Sequence, residues 1–202
     1  MLNTNTKIFF LTLILINLIY AIVEIIKNKK SKGYVFPNDF YEEEKEIDID
    51  NFELHEIDKR FLYEMDPRDF EIFIASIYRK LGYTAIVTQY ENDGGKDIIL
   101  SDKNDNKIYV ECKRWSKNTG YKIGREICQK LIGAMSQAGI KRGIVITTGE
   151  IHQNTYEYKN ELEANTDMRL KIINIDGIIN LVKKAKSIEF KENTSFEKAA
   201  EC

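Results

Sequence analysis

A mixed α/β fold, with a central sheet flanked by helices and a core ordered αβββαβ, is what the sequence predicts. Three observations carry that prediction. A capped amphipathic helix, "MDPRDFEIFIASIYRKLGY" at Met65 to Tyr83, is followed by three short Ile-, Val- and Tyr-rich segments separated by turn compositions. A second amphipathic helix then precedes "RGIVITTG" at Arg142 to Gly149, a continuous apolar run of the kind found in strands buried on both faces. At 202 residues and 43% hydrophobic content, the chain holds one such core plus an appendage.

Each element has its own local signal. Asp66 can cap the first helix, Pro67 fits its first position, and Asp69 suits the positive end of the helix dipole. Phe70, Phe73, Ile74, Ile77, Tyr78 and Leu81 recur at helical spacing, and Gly82 ends the run. Thr84–Gln89, Asp97–Ser101 and Lys107–Trp115 read as a meander, with "ENDGGK" and "DKNDN" as its turns. Ile123 to Ala138 places Ile123, Ile127, Leu131, Ala134, Met135 and Ala138 on one face of a helix. A helix near His152 to Ala164, a strand over Leu170 to Ile175 and a helix near Gly177 to Lys184 complete the order. The tail from 187 to 202 is polar and is expected to fray.

The first thirty residues form a separate segment. Ile8 to Ile26 is almost wholly apolar, and nineteen helical residues span roughly 29 Å, close to a hydrocarbon core of about 30 Å. Lys27, Lys29, Lys30 and Lys32 follow it against a single Lys7 before it, so the expected topology is a single-pass anchor with the rest of the chain in the cytoplasm. A cleaved signal peptide is the competing reading, but the charge sits on the wrong side and no small-residue cleavage site follows. The stretch from 31 to 65 reads as a charged linker with room for one short helix.

Charge and cysteine usage exclude several classes. Cys112, Cys128 and Cys202, with only His55 and His152 beside them, make neither a disulfide framework nor a zinc-ligand pattern. A net charge of -2 excludes a protein that is basic throughout. Its distribution is uneven: ten acids against one lysine from Asp39 to Asp58, and ten Lys or Arg against three acids from Lys103 to Arg142. The second stretch suits a polyanionic partner.

The chemistry sits in "DGGKDIIL" at Asp93 to Leu100 and "YVECKRW" at Tyr109 to Trp115. Residues two apart on a strand share a face, so Glu111 and Lys113 point together, and the hairpin brings Asp97 to them. Two carboxylates that close repel unless a cation lies between them, and hard oxygen ligands suit magnesium. Gly94 and Gly95 give the preceding turn its freedom and leave room for a phosphate chain. On spacing alone, a Glu-x-Lys pair on a solvated strand face explains the same residues equally well.

The ordered strings "FEIFIASIYRKLGY", "NDGGKDIIL", "YVECKRW", "GREICQKLIGAM", "GIVITTG" and "IDGIINLV" resemble the catalytic domain of Mrr-type restriction endonucleases, within the PD-(D/E)xK nuclease superfamily. That resemblance implies a restriction-endonuclease-like core within 66–186, while the anchor at 1–30, the linker at 31–65 and the tail at 187–202 are read from apolar length, charge and composition. It implies that Asp97 and Glu111 hold magnesium, with manganese as an alternative ion, that the Cys112 carbonyl is a further ligand, and that Lys113 serves the attacking water. It adds Glu71 to the metal shell, Gln129 as a weaker catalytic candidate, and Lys117, Lys122 and Arg125 as DNA phosphate contacts. Plain helical or surface residues explain Glu71, Gln129 and the three cations about as well. Nothing before Asp66 reads as a winged-helix reader, and "EIHQNTYEYKNELEAN" lacks the family's pattern after "GIVITTG".

The expectation is therefore a membrane-anchored, magnesium-dependent DNA endonuclease acting on foreign or modified DNA, as a homodimer where both strands are cut. A structure-specific repair or junction nuclease and a non-catalytic tethered DNA-binding protein are its rivals. Loss of the acid or the lysine would mark the last of these, and Asp97, Glu111 and Lys113 are all present.

Overall fold

The computed structural model describes residues 47–89, 94–117 and 119–200, with side chains described as far as 188. The chain divides into two compact units, Met1–Pro37 and Asn38–Cys202, and every described residue lies in the second. The expected anchor at 8–26 therefore lies outside the described residues. Among the described residues no helix is long and apolar enough to cross a membrane.

The order is α1 (Lys59–Glu64), α2 (Pro67–Lys80), β1 (Thr84–Val87), β2 (Ile98–Ser101), β3 (Lys107–Lys113), β4 (Lys122–Ile123), α3 (Arg125–Ala138), β5 (Arg142–Thr147), β6 (Glu150–Ile151), α4 (Gln153–Asn165), β7 (Arg169–Ile173) and α5 (Ile175–Ala200). A five-stranded sheet runs β1-β2-β3-β5-β7. Its first half is an antiparallel meander, with Ile98 opposite Val110. Its second half is parallel, with Glu111 opposite Val145 and Val145 opposite Ile172. Strand β3 is the seam between the halves and is buried along both faces, so the Glu-x-Lys pair does not lie on a solvated face.

Helices cover both sides: the parallel crossovers place α3 and α4 together on one face, and α2 and α5, before the meander and after the last strand, cover the other. On one face α2 and α5 meet Ile98, Leu100, Ile108, Val110, Ile144 and Ile146 in the main core. Helix α2 begins as its sequence dictates: the Asp66 carboxylate accepts from Arg68 N at 2.8 Å and Pro67 occupies the first turn. It ends at Gly82, whose φ of +85° is left-handed. On the other face α3 lies close against β5, because Gly143 has no side chain: a Cβ there would stand 2.5 Å from Met135 Sδ and 3.2 Å from Leu131 Cδ2. Gly143→Ala is expected to lower stability by about 1 kcal/mol, read as a melting temperature several degrees lower.

Three features differ from the sequence expectation. The second half of the expected linker belongs to the domain, since Ile49, Ile57 and Leu62 are buried in its core and the Phe61 ring packs edge-on against Phe73 at 5.8 Å. Their one-sided spacing was hidden by the acidic composition around them. Helix α5 starts earlier, with the Asn174 side chain accepting from Gly177 N at 2.9 Å, and its backbone continues to Ala200 instead of ending near Lys184. No proline or glycine after Gly177 interrupts it, so the expected polar tail continues the helix. The parallel β4–β6 pair, Lys122 to Glu150 and Ile123 to Ile151, was not expected at all.

Candidate active site

The hairpin of β2 and β3 sets the geometry. Gly94 and Gly95 both adopt positive φ, at 63° and 87°, so the turn entering β2 uses the freedom that only glycine offers without strain. Asp97 follows, and its backbone is tied on both sides. Its N–H donates to Val110 O at 2.8 Å, and its carbonyl accepts from Thr88 N at 2.8 Å and from Thr88 Oγ1 at 3.1 Å. Its carboxylate turns toward β3, where Oδ2 accepts from Cys112 N at 2.5 Å. Thr147 Oγ1 donates to Lys113 O at 2.8 Å, which fixes the end of β3 against β5.

Three oxygens converge on one cation. Lys113 Nζ lies 2.6 Å from Glu111 Oε1, donates to the Cys112 carbonyl at 3.0 Å, and lies 3.9 Å from Asp97 Oδ2. Glu111 is 0% exposed and Asp97 6%. The Glu111–Lys113 contact is an ion pair rather than an aligned hydrogen bond, and Glu111 Oε2 has no hydrogen-bond partner among the described residues. A buried carboxylate oxygen without a partner costs about 1–3 kcal/mol.

The electrostatics follow from this crowding. Burial, and then the Glu111 carboxylate, push the Asp97 carboxyl up to about 8, against the smaller opposing pulls of Lys113 and the Cys112 N–H. The Glu71 charge adds to that push. Burial works against the Lys113 ammonium, but Asp97 and Glu111 outweigh it and hold its pKa above the ordinary lysine value. The Cys112 thiol is pushed well up by burial and is no nucleophile.

The other expected residues are less tightly gathered. Glu71, mostly buried, is held by Arg68 Nη1 at 2.9 Å, and Arg68 also donates to Thr88 O at 2.7 Å. Gln129 is exposed on α3. Lys117 is exposed in the loop after β3, Lys122 pairs with Glu150 at 2.6 Å, and the Arg125 guanidinium stands 5.2 Å from the Tyr158 ring centre. Trp115, expected on the strand, lies beyond its end and packs against Tyr121 at 5.8 Å. Among the described residues no group of three or more His, Cys, Asp or Glu side chains is gathered to hold a metal. What converges instead is two carboxylates and one main-chain carbonyl.

Sequence reasoning passed over Lys130, whose Nζ lies 3.6 Å from Glu111 Oε1. The signal was available. Lys130 stands three residues after Ile127 and four before Ala134, so it is a charged residue on the apolar stripe of α3, where a bland surface lysine would not fall.

A mixed sheet flanked by helices, with two carboxylates and a lysine meeting at its central hairpin, defines the restriction-endonuclease-like class of α/β proteins. The Mrr catalytic-domain family model, described as a restriction endonuclease, matches residues 62–182, more than half of the chain. The chain belongs to that restriction endonuclease family. It is 31% identical over 110 residues to the "Type IV methyl-directed restriction enzyme EcoKMrr" of Escherichia coli (strain K12), covering 51% of this chain and 35% of that protein. It is 29% identical over 99 residues to the "Uncharacterized protein y4cE" of Sinorhizobium fredii (strain NBRC 101917 / NGR234), covering 48% of this chain and 25% of that protein. The matches thus span about a third or less of these relatives' lengths. Among solved structures, the "DNA modification-dependent restriction endonuclease AspBHI" aligns with a TM-score of 0.47 and 20% identity, over 66% of this chain and 35% of that one.

Proposed function

We propose that this protein is a divalent-metal-dependent endonuclease that hydrolyses phosphodiester bonds of DNA, tethered to the membrane through residues 8–26 with its nuclease domain on the cytoplasmic side. The observation that carries the reading is the convergence of Asp97 Oδ2, Glu111 Oε1 and the Cys112 carbonyl on the Lys113 ammonium. The donor set fits a hard cation: all three groups are oxygens, Glu111 Oε2 is buried without a partner, and Asp97 resists ionisation until a positive charge arrives. Asp97, Glu111 and the Cys112 carbonyl would hold magnesium, or manganese in its place, and Glu71 would add charge from behind Asp97. When bound, the ion supplies Lewis-acid polarisation of the phosphate and a more acidic water.

The side chains do the rest. Lys113 is charged at neutral pH, so it donates: it orients the attacking water through its oxygen and opposes the charge that gathers on the phosphate. The water oxygen bonds to phosphorus, the phosphorus bond to one deoxyribose oxygen breaks, one proton leaves the water and one reaches the departing oxygen. Lys117, Lys122 and Arg125 would hold neighbouring phosphates, which positions the strand without reading its sequence. Foreign or modified DNA is the proposed target, since the Escherichia coli relative is described as methyl-directed. One such site cuts one strand, so a homodimer is the proposed form for double-strand cleavage.

Nicking of supercoiled plasmid by the full-length chain in mild detergent tests this. Magnesium-dependent nicking is expected, abolished by EDTA and reduced at least about 100-fold in Asp97→Ala. Methylated plasmid is expected to be cut faster than unmethylated. A folded chain that binds plasmid and leaves it intact with magnesium or manganese would sink the reading.

A further inference from the structure

Two ammonium groups face the buried carboxylate of Glu111. Lys113 reaches it along its own strand at 2.6 Å, and Lys130 reaches it from α3 at 3.6 Å. Their settings differ. Lys113 is enclosed by Asp97, Glu111 and the Cys112 carbonyl, whereas the Lys130 side chain is 52% exposed and approaches from solvent. Its stem passes Gly95, where a Cβ would meet Lys130 Cε and Cγ at 3.6 Å. Gly95, itself buried, thus lets the Lys130 stem pack close against the turn before β2, and the half-exposed Lys130 ammonium lies between solvent and the buried Glu111 carboxylate.

We propose that Lys130 is a catalytic residue, whose ammonium contacts the scissile phosphate and supplies the second positive charge that the transition state requires. The inference rests on the nuclease reading above. A count of charges supports it. Ionised Asp97 and Glu111 carry two negative charges, and Lys113 and Lys130 carry two positive ones, so the four side chains together are neutral. A divalent cation would leave the site doubly positive with Lys130 and singly positive without it. A phosphodiester is a monoanion, and attack by a hydroxide-like oxygen makes it a dianion in the transition state. Only the site with Lys130 matches that second charge. An interaction stronger in the transition state than in the ground state is one that lowers a barrier. At 3.6 Å the ammonium faces Glu111 as an ion pair and not as a hydrogen bond.

The test compares the full-length wild type with Lys130→Gln and Lys130→Arg in three measurements: single-turnover nicking of supercoiled plasmid with magnesium, duplex binding in EDTA across a salt series, and Mn2+ affinity without DNA. Lys130→Gln is expected to nick about 100-fold more slowly at saturating DNA, with Lys130→Arg recovering most of the rate. Its binding should lose about one unit of salt slope, the mark of one lost phosphate contact. Mn2+ affinity should be equal or higher, because an ammonium near Glu111 competes with the ion. Nicking within about threefold of wild type and an unchanged slope overturn the inference and leave the nuclease reading intact. Loss of Mn2+ affinity together with activity also overturns it, since Lys130 would then only shape the carboxylates. A wild type that binds DNA and cuts nothing overturns the nuclease reading instead.

Discussion

Lys113→Met is expected to abolish cutting and, in the same protein, to lower the metal-free domain's unfolding free energy by about 3 kcal/mol. The two losses share one cause. Glu111 is fully buried, and Lys113, at 2.6 Å and also donating to the Cys112 carbonyl, is the nearer of the two ammonium groups that face it. Removing the ammonium leaves a buried carboxylate with Lys130 at 3.6 Å as its remaining ion pair and pushes Asp97 further toward its neutral form. Urea unfolding in EDTA reads the stability, and plasmid nicking reads the activity. Magnesium should restore part of the lost stability without restoring the rate, because a cation can relieve the repulsion but cannot donate to water as the ammonium does. A variant as stable as wild type in EDTA would show that the carboxylates already accept protons in place of Lys113.

A metal-free stability that falls as pH rises is the second large effect. Asp97 has an ordinary carboxyl value near 3.8 when unfolded and about 8 in the fold, from burial first and Glu111 second. Between those values the native state keeps a proton that the unfolded chain has lost, so each step up in pH favours unfolding. The contribution is complete below about pH 4, declines through the window to about pH 8, and is flat above it. Asp97→Asn is expected to flatten the profile, and unfolding measured in EDTA from pH 5 to 9 checks both. Magnesium should reverse the trend, since its ligands must be ionised: the gain in melting temperature on adding it grows from pH 6 to pH 8. Rising stability across the window without metal would show that Lys113 alone keeps Asp97 ionised.

Much of this was legible because the signals were local. The start of α2 follows from Asp66 and Pro67, and its end from Gly82, three residues that do nothing else. The meeting of Asp97 with Glu111 and Lys113 follows from hairpin register, which a short turn fixes. What failed had non-local causes. Ile49, Ile57 and Leu62 are core residues only because α5 and α2 offer them a surface, and no window of acidic sequence shows that. Strands β4 and β6 are two residues each and exist through pairing between distant loops, with Thr155 Oγ1 and His152 N both donating to Ile123 O. Gln129 and Lys130 are neighbours in sequence, but one helical step turns the first outward and the second toward Glu111.

The hairpin carries one more implication. Asp97 and Cys112 are fifteen residues apart, and Asp97, Glu111, the Cys112 carbonyl and Lys113 all lie between Asp97 and the end of β3. The proposed reacting centre is thus a product of short-range chain closure, a microsecond event, whereas joining β5 and β7 requires two slower long-range crossovers. Its oxygens can meet before the parallel half of the domain exists. A nascent chain emerging from the ribosome would then gain the hairpin with its proposed ion ligands ahead of α3, which carries Lys130.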